Sequence, residues 1–328
     1  MMIFTSNHSL LYGVIFMTLL VFICFCGCID NLINPPSNVY IVDGPQGTYY
    51  EKIQDAIDNC EDYATIRVSP GIYRENIQVT KPITIRSEDV DQTIIDGNFS
   101  GDVIQITSED VIIDGFTIMH SGVNSHFSDY DVGVAIVSNQ VTIKNCIFHN
   151  NTGGIEIRSD TNHITSCHFH HNDFGLYAIL SNEDIISNNI FQFHTTEGVW
   201  IYSGNNIVIS ENKFIDNEIG MKIKNAQENR VKQNLFKRNV QGLYLCCGSM
   251  NNSMSHNSFM NNSKRHIFDI TALNQFYDLG EFIGNYWDDY GGKDANNDGI
   301  GDESYLISND RKKQDYYPLM EPLIDEYS

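Results

Sequence analysis

The sequence predicts an all-β protein: a single-stranded right-handed parallel β-helix of about nine coils, with a short N-terminal capping helix and an irregular C-terminal cap. Three observations predict it. Phe148, Phe169, Phe191, Phe214, Phe236 and Phe259 recur at spacings of 21, 22, 23, 22 and 23 residues. Each lies two residues after Cys146, Cys167, Asn189, Asn212, Asn234 or Asn257 and three before Asn151, Asn172, His194, Asn217, Asn239 or Asn262. Six or seven residues further on, Gly154, Gly175, Gly198, Gly220 and Gly242 each open a short alternation of apolar and variable residues. Period-two patterning marks a half-buried strand, and self-similarity at this period marks a solenoid whose units bury apolar surface only by stacking.

A unit reads as three short strands: one after the glycine (Ile155-Glu156-Ile157), one like Val141-Thr142-Ile143, and one around the phenylalanine. No stretch within it is long enough for a helix. A leucine-rich repeat has a similar period, but its leucine pattern and helical half are missing. The asparagine columns are expected to stack as ladders whose amides satisfy buried turn backbone.

Taken from the N-terminus, residues 1–29 contain an almost wholly apolar run, a secretion signal or an uncleaved membrane anchor. Cys28 ends a lipoprotein-like box and is the candidate for lipidation. The protein is therefore expected to be exported and held at the cell surface or membrane. Residues 30–46 read as a linker, 47–275 as the β-helix and 276–328 as the cap. Residues 50–60 read as a helix with Ile53, Ala56 and Ile57 on its apolar face, placed to cover the open end of the stack. The coil pattern continues less regularly upstream through Ile66, Ile85 and Ile113, and residues 121–132 interrupt it as an insertion suited to wall a binding site.

The net charge is −22, from 20 basic and 42 acidic residues, which excludes nucleic acid as a partner because phosphate binding needs basic stripes. Outside the leader the cysteines are Cys60, Cys146, Cys167, Cys246 and Cys247. Cys146 and Cys167 are expected to stack as buried thiols, with a disulfide between them left open by geometry. His120, His149, His168, His170, His171 and His194 fall on neighbouring coils and read first as turn and surface residues.

Two constellations suit binding. The residue two after each glycine points outward, giving the column Glu156, Tyr177, Trp200, Lys222 and Tyr244, with Arg158, Tyr202 and Lys224 beside it. Aromatic rings flanked by cations suit stacking on sugar rings and pairing with uronate carboxylates. A lysine or arginine there would also serve a polysaccharide lyase as base, whereas no close carboxylate pair equips a glycoside hydrolase. In the tail, Asp294, Asn296, Asp298 and Asp302, with the backbone oxygen of Ile300, occupy the spacing of a calcium loop, and calcium there would fix the cap.

The tail also carries Gly284-Asn285-Tyr286-Trp287-Asp288-Asp289-Tyr290 and closes on Tyr316-Tyr317-Pro318-Leu319-Met320; near the start stand Ile53-Gln54-Asp55-Ala56-Ile57 and Gly71-Ile72-Tyr73. With these the chain resembles the right-handed β-helix proteins of the NosD-like, pectin-lyase-like repeat group, exported surface proteins of archaea and bacteria. The resemblance implies polysaccharide or surface-glycan binding, with lyase or hydrolase relatives. A passive surface spacer and a copper-binding protein are the remaining readings.

Overall fold

The computed structural model describes residues 38–44, 47–126, 129–271, 273–307 and 313–323. The apolar leader and Cys28 lie outside them. Among the described residues no helix is long and apolar enough to cross a membrane.

The chain winds into a parallel β-solenoid with three sheets of ten, nine and ten strands. One sheet runs from Val39–Val42 to Ser253–Ser255, the second from Ile77–Val79 to Arg265–Asp269, and the third from Gly71–Arg74 to Tyr286–Trp287. The coil register is the one the repeat predicts: Phe148 pairs with Phe169, Phe169 with Phe191, Phe214 with Phe236 and Phe236 with Phe259. Their rings are fully buried and stack nearly parallel, as at 4.7 Å between Phe148 and Phe169 and 4.8 Å between Phe236 and Phe259. Offset stacks of this kind add to the apolar area that each coil removes from water.

The asparagine columns form the ladders. Asn212 N and Nδ2 donate to Asn234 Oδ1 at 2.9 and 3.0 Å; Asn234 N and Nδ2 donate to Asn257 Oδ1, and Asn257 does the same to Asn285. Each amide also donates to a carbonyl of an earlier coil, Ile209 O for Asn234. A buried turn thereby has its N–H and C=O groups paired at every step. The corner residues next to the ladders adopt left-handed backbone, for example Asn188 (φ +57), Glu211 (φ +59) and Gln233 (φ +54).

His194 breaks one ladder. Its N–H donates to Asn217 Oδ1, but its ring replaces the amide that Asn172 would engage. Nδ1 lies 3.2 Å from Asn172 O, so it carries the proton, and the buried Nε2 has no partner. Burial pushes its pKa down to about 3 from 6.5. The unfolded chain therefore binds a proton that the folded chain refuses between those values. The stability this group contributes is complete above pH 6.5 and is lost as pH falls toward 3, by up to about 1.4 kcal/mol per pH unit. His194→Asn is expected to restore the rung, raise stability by about 1–2 kcal/mol at neutral pH, and flatten the acid limb. Denaturant melts at pH 7 and pH 5 check this; equal pH slopes in the two proteins would refute it.

The ends differ from the sequence reading in three ways. The helix is shorter than residues 50–60: it spans Ile53–Asn59 and buries Ile53, Ala56 and Ile57. The Glu75 carboxylate accepts from Ile53 N and Gln54 N at its start, and Lys81 Nζ donates to Ile57 O and Cys60 O at its end. Val39–Val42, placed in the linker by its position before the repeats, is a strand paired with Thr65–Val68. Tyr286–Trp287, placed in the cap, is the last rung of the third sheet: Phe259 pairs with Trp287 and the rings stack at 4.7 Å. Its Asn285 ends the ladder against the buried Asp315, whose Oδ2 accepts from Asn285 N (2.7 Å) and Trp287 Nε1 (3.0 Å).

Candidate functional site

The second sheet brings the predicted column together. Glu156 pairs with Tyr177, Tyr177 with Trp200, Trp200 with Lys222, Lys222 with Tyr244, and Tyr244 with Phe268, which the sequence reading missed because no glycine precedes it. In the adjoining row Tyr202 pairs with Lys224.

The column divides in two. Its upper half is covered. The insertion folds back as a two-stranded hairpin, and the Tyr130 ring meets Phe174 at 4.9 Å and Tyr177 at 5.9 Å. Val132, Ala135, Phe174, Tyr177 and Ile179 form a small apolar cluster there. Tyr177 is 0% exposed and Glu156 5% exposed, so neither offers a surface to a ligand: Tyr177 is a packing residue, corrected here from its reading as a platform. Burial raises the Tyr177 hydroxyl well above the usual phenol range. Glu156 is occupied by Arg158, whose guanidinium donates through both Nε (2.8 Å) and Nη2 (2.9 Å).

The lower half is open. Trp200, Tyr202, Lys222, Lys224, Tyr244 and Phe268 are half-buried, and Arg265 is exposed. The Lys222 ammonium lies 4.2 Å from the centre of the Trp200 ring and 2.7 Å from Glu197 Oε1. Lys224 sits 5.3 Å over Tyr202, and Arg265 4.5 Å over Phe268. Tyr244 and Phe268 stack at 4.9 Å. Cations held over rings keep both groups ordered and shed part of their water, which suits them to an acidic, ring-shaped ligand.

In the tail loop the side chains of Asp294, Asn296, Asp298 and Asp302 stay at the surface and accept backbone N–H groups of their own loop. Gly299 N donates to Asp294 Oδ2 (2.9 Å), Ile300 N to Asp298 Oδ1 (2.9 Å) and Ala295 N to Asp302 Oδ2 (2.9 Å). Asx-type turns of this kind order an acidic loop. Gly299 stands at φ +85, a conformation that glycine adopts at least cost.

Among the described residues, only His266, Asp288 and Asp289 bring three potential ligand atoms within 4.8 Å of one another. His266 and Asp289 line a cavity of about 360 Å³ with Lys264, Arg265 and Tyr305. The ladder decides their chemistry. Asn262 Oδ1 accepts from Asn239 N and Nδ2, which fixes the amide, so its Nδ2 donates to His266 Nδ1 (3.1 Å). His266 therefore carries its proton on Nε2, 2.9 Å from Asp288 Oδ1. That nitrogen is a donor to a carboxylate and has no lone pair for a metal.

The histidines of the third sheet form a file in which one pair of ring nitrogens converges, His170 Nδ1 and His171 Nδ1 at 3.0 Å. His149 and His170 lie ring to ring at 5.1 Å, and burial, aided by His168, His149 and His171, lowers the His170 pKa to about 4. None of the five cysteines outside the leader is bridged; Cys146 and Cys167 are buried thiols, as their stacked positions suggest.

The family described as "Periplasmic copper-binding protein (NosD)" matches residues 74–292. The chain belongs to the NosD family. Two curated relatives, each named "Probable ABC transporter binding protein NosD", come from Stutzerimonas stutzeri (36% identical over 83 residues) and Pseudomonas aeruginosa (34% over 83 residues). The match spans 25% of this chain and 19% of each NosD relative. Among solved structures, an alginate lyase from a Paenibacillus species aligns over 76% of this chain and 95% of its own, at TM-score 0.61 and 13% identity. A DFA-IIIase from Arthrobacter chlorophenolicus in complex with DFA-III aligns over 76% of each chain, at TM-score 0.57 and 14% identity. At such identities the likeness is one of fold. The NosD description names copper; among the described residues the one cluster of three potential ligands is His266, Asp288 and Asp289, and the His266 Nε2 proton points at its carboxylates.

Proposed function

We propose that this NosD-family protein is exported and binds an acidic polysaccharide along the open half of the second sheet. The observation that carries the reading is the single file of Trp200, Lys222, Tyr244 and Phe268 with Lys224 and Arg265 alongside, a cationic aromatic strip on a protein of net charge −22. Successive coils rise by about 4.8 Å, close to the rise of one sugar residue in an extended chain, so rings and cations repeat in step with a linear uronate polymer. Rings take the sugar faces and the cations take the carboxylates. The fold is shared with an alginate lyase, which agrees with the ligand class without assigning turnover.

Trp200→Ala is expected to weaken binding of oligomeric alginate or pectate at least tenfold, with a modest loss of thermal stability because the ring stacks on Tyr177 at 4.6 Å. Calorimetric titration checks it, with neutral glucan as the control polymer. Undiminished affinity in Trp200→Ala removes the strip as the site.

A further inference from the structure

The open face ends at a corner that the glycan reading does not use. The strand Gln241–Cys246 closes the second sheet's coil, and the chain turns at Cys247, which takes left-handed backbone at φ +59. Cys246 pairs with Lys224, so its side chain stands in the outer row beside Tyr202 and Lys224 rather than in the core. Cys246 is buried at 3% exposure, while Cys247 is exposed. The Sγ atoms of the two lie 2.7 Å apart. The two thiols are thus in direct contact, and a small side-chain rotation brings them to the bonded separation of about 2.05 Å.

We propose that Cys246 and Cys247 form a vicinal dithiol that closes to a disulfide when it meets a small-molecule disulfide oxidant. The exposed Cys247 thiolate attacks one sulfur of the oxidant R–S–S–R, forming a mixed disulfide and releasing one thiolate. Cys246 then gives up its proton to solvent and attacks Cys247 Sγ. The bond between Cys247 and the oxidant sulfur breaks, and a second R–S⁻ leaves and is protonated. Two thiols have been oxidised, one disulfide has been reduced, and no other reactant is needed. The order follows from exposure: Cys247 meets solvent, whereas burial and its neighbour Cys247 push the Cys246 thiol up to about 11. Once the mixed disulfide has formed, proximity makes the second step intramolecular. The ring is built on adjacent residues, so closure tightens the corner next to Lys224 and Tyr244 without drawing any other part of the solenoid. The remaining described thiols, Cys60, Cys146 and Cys167, are buried and each lies apart from this corner.

The test treats the folded full chain with oxidised glutathione, blocks free thiols with iodoacetamide, and weighs the peptide that carries both cysteines. The expected peptide has lost two hydrogen atoms, carries no glutathione and no alkyl group, and takes up two alkyl groups after dithiothreitol. In Cys246→Ser the attacking thiol remains but the resolving one is gone, so Cys247 is expected to keep one glutathione. A wild-type peptide that retains glutathione on Cys247, or whose thiols both alkylate as in the untreated protein, overturns the proposal. An unmodified Cys247 in Cys246→Ser overturns the proposed order of attack and the proposal with it.

Discussion

Asn234→Ala is expected to lower the free energy of unfolding by about 4 kcal/mol. The side chain is fully buried and makes four kinds of contact at once. Its Oδ1 accepts from Asn212 N and Nδ2, and its Nδ2 donates to Ile209 O, Lys232 O and Asn257 Oδ1. Alanine leaves the buried Asn212 N–H without its acceptor and takes one donor from the Ile209 carbonyl, and an orphaned buried group costs about 1–3 kcal/mol. The volume removed is small, so the loss is one of polar satisfaction rather than of packing. Urea denaturation followed by circular dichroism measures it. A loss under about 1 kcal/mol would mean that water enters the turn and replaces the amide.

Asp315→Ala is expected to cost about 3 kcal/mol and to loosen the terminal cap before the coils. One carboxylate holds four N–H groups from two segments: Asn285 N, Asn285 Nδ2, Trp287 Nε1 and Tyr317 N, the last at 3.0 Å. Removing it unpairs the last rung of the ladder and the indole above Phe259. Asp315→Asn separates charge from hydrogen bonding. Burial pushes the Asp315 carboxyl up to about 6 from 3.8, although its hydrogen bonds pull the other way. The unfolded chain therefore releases this proton first, and the stability contributed by the group is complete below pH 3.8 and is lost as pH rises through 6. The asparagine variant is expected to melt near the wild type at pH 7, and the alanine variant well below it. Equal melting of all three proteins would show that the cap does not depend on this side chain.

The coil register was legible because in a solenoid equal letters at equal spacing become neighbours, and backbone pairing then fixes which residues face out. Phe148 to Phe259 and the column Trp200, Lys222, Tyr244 needed nothing more. The spacing does not say what lies over a face. Tyr177 has the same place in its coil as Trp200, yet a tyrosine contributed by the insertion, Tyr130, buries it. That contact depends on how twelve irregular residues fold, and no period encodes it. The last rung was legible in principle: Asn285 precedes Trp287 by two residues, as Asn257 precedes Phe259. A longer connection and the change from phenylalanine to tryptophan hid it. Asp315 carried no signal at all for its partners, and Asn262, legible as a ladder residue, carried none for His266, because these contacts arise from atoms that converge only after the stack is built. The spacing of Asp294 to Asp302 does not say that these side chains also accept backbone N–H groups of their own loop, a contact that the folded turn creates.

The chain has just two tryptophans, and the fold gives them different surroundings. Trp287 is sealed in the interior between Phe259 and Tyr305, while Trp200 stands on the flank under an ammonium group. Their emission is thus a pair of built-in optical reporters, one for the seal at the end of the rod and one for whatever settles on its side.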